Sequence, residues 1–209
     1  MNFKELRTTI TDAKLPHLDK VLDTELVLQK FKSDFAEQFS AQKLEPIGCS
    51  IERIQHKRGK RCRVLYRLRL VNQDKTESEQ WFLGKLVKPG QAQGQFATAR
   101  RSHELANGAW PAVSLWEDWD VVLWTFPNDP EMRKLRIAAD PAFIRSFISE
   151  NISKFGYDLN WRCTQATVKR VKYMPGKRCV LRIEAELLKK TGETETLRLY
   201  SKTYPDGQI

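Results

Sequence analysis

Two short basic runs hold the side chains of this chain best suited to chemistry: His56-Lys57-Arg58-Gly59-Lys60-Arg61-Cys62-Arg63 and Met174-Pro175-Gly176-Lys177-Arg178-Cys179. Each sets a glycine beside consecutive cations. Six Lys or Arg fall between Arg53 and Arg63, and six more between Lys169 and Arg182. Guanidinium and ammonium groups around a tight turn can hold a phosphate or carboxylate through charge-assisted hydrogen bonds. The same runs can also be solvated faces, or two patches that track a nucleic-acid backbone. Nucleic acid is the least favoured partner, because no regularly interleaved aromatics form a stacking platform. Cys49, Cys62, Cys163 and Cys179 stand alone, without the CxxC spacing or His clusters of a zinc site, and read as reduced thiols.

The wider composition sets the frame for these runs. A formal net charge of +10 favours an anionic partner: a nucleotide, a nucleic acid or an acidic protein surface. Charges interrupt every apolar stretch of the N-terminal segment, so the sequence offers no signal-peptide core, no membrane span and a cytoplasmic expectation. With 209 residues, 41% of them hydrophobic, there is material for one sizeable domain or two small ones.

The elements that must position the basic runs come in two copies. An offset of 117 aligns Asp23 through Gln91 with Asp140 through Gln208 without a gap, matching ten of 69 positions. Gly59-Lys60-Arg61-Cys62 falls on Gly176-Lys177-Arg178-Cys179, Arg53 on Arg170 and Lys85 on Lys202. A fixed period of this kind marks a repeated structural unit. Each copy opens with an amphipathic helix. In the second copy Asp140 is its N-cap, Pro141 its first residue and Gly156 its stop, with Phe143, Ile144, Phe147, Ile148 and Ile152 on one face. In the first, Asp23 caps a helix bearing Leu26, Val27, Phe31 and Phe35.

Three strands follow in each copy, at 49–57, 61–71 and 79–88, and at 166–174, 178–188 and 196–204. The turn Met174-Pro175-Gly176-Lys177 is of type II, with Pro setting φ at its second position and Gly supplying φ > 0 at its third. The first copy continues with a helix over 96–107 and two strands at 112–116 and 120–126. The second ends after its third strand. It is therefore read as a fragment of a longer protein, or as a unit that borrows cover from elsewhere.

Three strands, a helix and two strands, with a basic turn between the first two strands and a lysine on the third, resemble the small lobe of the kinase-like phosphotransferases of the aminoglycoside phosphotransferase and choline kinase group. The resemblance covers 49–130 as one complete lobe and 166–204 as the first half of another. It implies that Lys85 holds the phosphates of ATP and pairs with Glu104 on the following helix. It places Gly59, Lys60 and Arg61 at the phosphates, and Trp124, in the segment Leu123 to Pro130, beside adenine. Lys202, Gly176, Lys177 and Arg178 are the matching positions of the second copy. The sequence departs from the family where its glycine-rich loop would be, since His56 to Arg63 holds one glycine and five Lys or Arg. It departs further in lacking the HxDxxxxN pattern after Lys85; His17-Leu18-Asp19 precedes the lysine and is read as chance.

The sequence thus predicts an α+β protein: a helical segment over 1–48, a small-lobe-like unit over 49–130, a helical linker over 131–165 and an incomplete three-stranded unit over 166–209. The function expected is the nucleotide-binding, regulatory part of a small-molecule phosphotransferase, with ATP as its ligand, no catalytic residue in this chain and Mg²⁺ undetermined. A catalytic lobe or partner chain would complete it. The alternatives are a nucleotide-free, pseudokinase-like scaffold that docks a partner or second lobe, and a basic nucleic-acid-binding module. An incomplete second sheet exposes a face and an edge, so either the helix over 141–155 covers it or it pairs with another chain, which makes homodimerisation an expectation. The tryptophans at 110, 116 and 119 are read as packing residues, and Lys85 and Lys202 are weighed against a guarding role on edge strands.

Overall fold

The computed structural model describes residues 11–102 and 110–207. The chain divides into two compact units, Met1–Asn128 and Asp129–Ile209. It is α+β, with two antiparallel sheets. Both units are built to the 117-residue period.

In the first unit, α1 (Leu18–Val21), α2 (Thr24–Asp34) and α3 (Ala36–Gln42) precede β1 (Leu44–Lys57), β2 (Arg61–Asn72) and β3 (Glu77–Leu86). Then come α4 (Ala92–Ser102), β4 (Val113–Trp116), a 3-10 turn (Glu117–Trp119) and β5 (Val121–Thr125). The sheet order is β1-β2-β3-β5-β4, which makes β3 a central strand. In the second unit, α5 (Leu135–Ala138) and α6 (Pro141–Glu150) precede β6 (Trp161–Met174), β7 (Arg178–Lys189) and β8 (Thr194–Thr203), ordered β6-β7-β8. All three strands of that sheet begin and end 117 residues after β1, β2 and β3. Even the first break in strand register recurs, between Pro46 and Gly48 and between Cys163 and Gln165.

Local chemistry accounts for the helices. Asp23 caps α2 by accepting from the amides of Glu25 (2.9 Å) and Leu26 (3.2 Å), and Asp140 caps α6 by accepting from Ala142 (2.9 Å) ahead of Pro141. α6 stops at Glu150, short of the expected Gly156. A 3-10 turn (Ile152–Phe155) intervenes, and Gly156 ends that turn at φ +88°. Ile144, Ile148 and Ile152 are buried as expected, but Phe143 and Phe147 are 45% and 44% exposed and stack on each other at 6.1 Å. A five-residue apolar stripe is wider than the contact one helix makes with a three-stranded sheet, so its outer row stays in solvent. Leu26, 47% exposed, likewise departs from the expected face of α2.

The helices of the N-terminal and linker segments cover the sheets that follow them, as one of the two readings of the second sheet expects of the helix over 141–155. Leu15, Leu18, Val27, Phe31, Phe35 and Phe39 share one core with Cys62, Tyr66, Leu68 and Phe82 of the first sheet. Ile144, Ile148 and Ile152 share another with Cys163, Ile183, Ala185 and Leu187 of the second. A sheet with one bare apolar face must be covered, and these helices cover it. The opposite face of the first sheet carries a second cluster, in which Leu83, Val87, Val122 and Trp124 pack with Ala92 and Phe96 of α4.

Gly84 shows how tightly the first core is set. A Cβ there would meet the Tyr66 ring at 2.8 Å, and Tyr66 is fully buried with its hydroxyl donating to the Val21 carbonyl at 2.8 Å. The second unit has Ser201 and Ile183 at the matching positions, a larger residue facing a smaller one. Gly84→Ala is therefore expected to lower stability by about 1–3 kcal/mol through overpacking. Pairing it with Tyr66→Leu should return part of that loss in urea denaturation, and two strictly additive losses would contradict the account.

Candidate functional site

The two basic hairpins are built as the sequence predicts. Lys60 N donates to the Lys57 carbonyl and Lys177 N to that of Met174, each at 2.9 Å. Gly59 and Gly176 take φ +66° and +63°, the left-handed value a type II turn needs at its third residue. Lys60 and Lys177 are exposed, and Arg61 and Arg178 half-buried. The fourth residue of each block points inward: Cys62 and Cys179 are fully buried, and burial pushes both thiols up to about 12, so neither is a nucleophile near neutral pH.

A carboxylate already occupies each turn. Asp12 Oδ2 accepts from Gly59 N at 2.6 Å and from His56 Nε2 at 2.9 Å, while Oδ1 accepts from Lys14 N at 3.0 Å. In the second unit Asp129 Oδ2 accepts from Gly176 N at 3.0 Å and from the Tyr173 hydroxyl at 2.7 Å, and Oδ1 from the amides of Glu131 (2.8 Å) and Met132 (3.1 Å). Asp12 and Asp129 are themselves 117 apart, as are His56 and Tyr173. The repeat therefore starts at least 11 residues before Asp23, and the turn amide nearest the cations is held, in both copies, by an acid of the same unit. Extending the offset upstream would have found the pair, along with Leu18 on Leu135, both buried.

The contacts of Asp12 predict a pH dependence. The Gly59 amide, above all, holds the Asp12 carboxyl below its ordinary range, with the His56 hydrogen bond adding to it against an opposing cost of burial. A carboxyl whose folded value lies below its unfolded value, near 3.9, stabilises fully above the unfolded value and loses the contribution as pH falls from there through its lowered folded value. Asp12→Asn should therefore destabilise the first unit at pH 6 and converge with wild type only in acid below the ordinary carboxyl range. A difference that stays constant across the range would count against it.

Lys85 sits on the central strand β3, half-buried, opposite Arg63 of β2 and Val122 of β5. It is not an edge-strand guard. Because Val122 belongs to the cluster that packs Ala92 and Phe96, Lys85 lies on the α4 face. It stands near the turn end of the sheet, since Arg63 is two residues past Arg61. Glu104, its expected partner, and His103 lie outside the described residues. Lys202, by contrast, is exposed on β8, the outer strand, opposite Val180.

Trp124 is 4% exposed, pairs with Leu83 and Val113, and packs in the α4-side cluster. Trp110, Trp116 and Trp119 pack in the opposite core, where Trp110 meets Phe35, Phe39 and Phe82, and Trp116 meets Phe31, Tyr66 and Trp119. In the segment expected to receive adenine the backbone donors are engaged: Thr125 N by Ala112 O (3.0 Å), Phe126 N by Trp81 O (2.8 Å) and Asn128 N by Thr125 O (2.8 Å). Residue 127 is a proline and has no donor. All four cysteines are free thiols.

No family model, curated protein or solved structure matches the chain. What the site can do therefore rests on its own geometry. Among the described residues no cluster of His, Cys, Asp and Glu could hold a metal ion, and no helix is long and apolar enough to cross a membrane.

Proposed function

We propose that the chain is a nucleotide-free, small-lobe-like scaffold, the pseudokinase-like alternative, whose two units present surfaces to other polypeptides. The observation that carries this reading is the pair of internal acids. A phosphate seated on the Gly59 or Gly176 amide would have to displace a carboxylate of the same unit and then lie beside its negative charge. The engaged amides of 125–128 support the same conclusion at the adenine end. The order of three strands, a helix and two strands, with Lys85 central, supports the small-lobe comparison.

One observation favours the nucleotide reading: Lys85 and Arg63 stand opposite one another on the α4 face, a two-cation row that suits phosphate oxygens. Titration with Mg²⁺-ATP separates the two, because a ligand that binds only the folded state stabilises it by RT ln(1 + [L]/Kd) and so raises Tm as its concentration rises. The scaffold reading expects no rise at millimolar ATP. A rise that grows with ATP and vanishes in Lys85→Met would replace it with a phosphate site at Lys85.

A further inference from the structure

The ten identities between the two copies are of two kinds. Some answer to the fold: Asp23 caps a helix, Gly59 and Gly90 take φ +66° and +76°, and Cys62 and Leu70 are buried. Lys60 has no such reason. It and its counterpart Lys177 are exposed, neither forms an ion pair among the described residues, and the last position of a tight turn accepts most residues. Surface substitutions at such a place barely move stability, so folding alone does not keep a lysine there while most other positions diverge.

In the first unit the cations gather round that lysine. Lys57, Arg58 and Lys60 are exposed and Arg61 is half-buried, and the exposed Lys14 lies across the turn, since a Cβ on Gly59 would sit 3.5 Å from Lys14 Cδ. Lys57 and Arg61 are direct cross-strand partners, and like charges placed opposite one another destabilise a strand pair. No acid lies between Arg53 and Arg63, and among the described residues none of these five side chains forms an ion pair. The carboxylate at the turn, Asp12, is engaged by Gly59 N, His56 and Lys14 N. The second unit keeps the lysine and arginine but has Glu131, Met174 and Pro175 where the first has Lys14, Lys57 and Arg58. A cluster that works against its own strand pair marks a place where function outweighs stability.

We propose that Lys14, Lys57, Arg58, Lys60 and Arg61 form the docking surface for an acidic segment of a partner polypeptide, a run of Asp and Glu laid across the first hairpin turn. The inference rests on the scaffold reading and names the partner's chemistry. Because Asp12 holds the turn amide, side chains alone make this surface, and they are charges on flexible stems. These suit a row of separate carboxylates better than one small anion, which needs converging donors. Nucleic acid fits less well on two counts. Among the described residues of the first unit no aromatic side chain is exposed, so bases find no stacking platform. The turn is also tied to Asp12 and crossed by Lys14, so it does not project as a free ribbon that could enter a major groove. Opposite charge across such a surface steers the encounter and sets the partner's register.

The test is a titration of fluorescein-labelled hexaglutamate with the full chain, followed by anisotropy. Saturable binding is expected, weakened about tenfold by Lys60→Glu. The same charge reversal at Lys32, exposed on α2, should weaken it less than about threefold. Lys57→Thr should weaken binding while leaving Tm unchanged or higher, because it removes a like-charge opposition. Absence of saturable binding, or equal losses in Lys60→Glu and Lys32→Glu, overturns the proposal. So does a Tm that falls with binding in Lys57→Thr, which would make the basic run part of the turn's own fold. Tighter binding of duplex DNA, lost in Lys60→Glu, would also overturn it and give the turn to a nucleic-acid backbone. The scaffold reading fails separately: an ATP-dependent rise in Tm that vanishes in Lys85→Met removes the scaffold, whereas the peptide titration removes only this surface.

Discussion

Phe31→Ala is expected to lower the stability of the first unit by about 3–5 kcal/mol, the cost of emptying a large site in a core that cannot collapse around it. Phe31 is fully buried, and its ring lies 4.6 Å from that of Phe82, 5.0 Å from Trp116, 5.7 Å from Phe35 and 6.1 Å from Tyr66. Those neighbours come from the junction of α2 and α3 and from three strands, and each is fixed by contacts of its own. Tyr66, for one, is held by the Val21 carbonyl. Relaxation is therefore small and the cavity persists. Phe31→Leu keeps much of the volume and should cost less than half as much. Five of the six tryptophans lie in the first unit, so urea denaturation followed by tryptophan fluorescence reads this unit selectively. A loss below about 1 kcal/mol would mean that the ring cluster repacks freely, contrary to the close-packed account.

The matching residue of the second unit, Ile148, is equally buried, and around it Ile144, Ile152 and Ile183 replace Val27, Phe35 and Tyr66. One backbone plan is thus filled by an aromatic core in one copy and an aliphatic core in the other. This is why ten identities in 69 positions were enough to reveal the repeat. Turn glycines and capping acids depend on backbone geometry and persist, whereas core residues depend only on their joint volume and drift together.

The same distinction explains what was legible and what was not. The type II turn at Met174–Lys177, the caps at Asp23 and Asp140 and the three-strand, helix, two-strand order along the chain all follow from patterns within a few residues. Local pattern does not set how far a strand runs under a covering helix. β1 and β6 therefore begin at Leu44 and Trp161, five residues earlier than expected. Likewise, alternation alone could not tell that β3 would be central and β8 outermost, so an edge-guarding role was weighed for both Lys85 and Lys202 although only β8 is outermost. Asp12 and Asp129 were missed because each acts on a turn 47 residues away, and no local spacing encodes that contact.

Asp129 offers the sharpest test of whether the internal acids organise the hairpins. Its residue surface is 1% exposed and its carboxylate accepts four hydrogen bonds, from Tyr173 Oη, Gly176 N, Glu131 N and Met132 N. Asp129→Ala leaves all four donors without their acceptor. Solvent can reach some of them, so the expected loss is roughly 2–4 kcal/mol, below the sum of four charge-assisted bonds. Asp129→Asn separates charge from shape. Its oxygen can keep the Glu131 and Met132 amides, but its NH₂ then faces the Gly176 N–H, donor against donor, so the substitution should loosen the turn rather than the segment before it. Tyr173→Phe removes a single donor and should cost about 1 kcal/mol. Hydrogen exchange resolves the three: Asp129→Asn should speed exchange at Gly176 while Met132 stays protected, and Asp129→Ala should speed both. If Gly176 exchanges at the wild-type rate in both Asp129 variants, the acid does not hold the turn, and its amide is open to a phosphate after all.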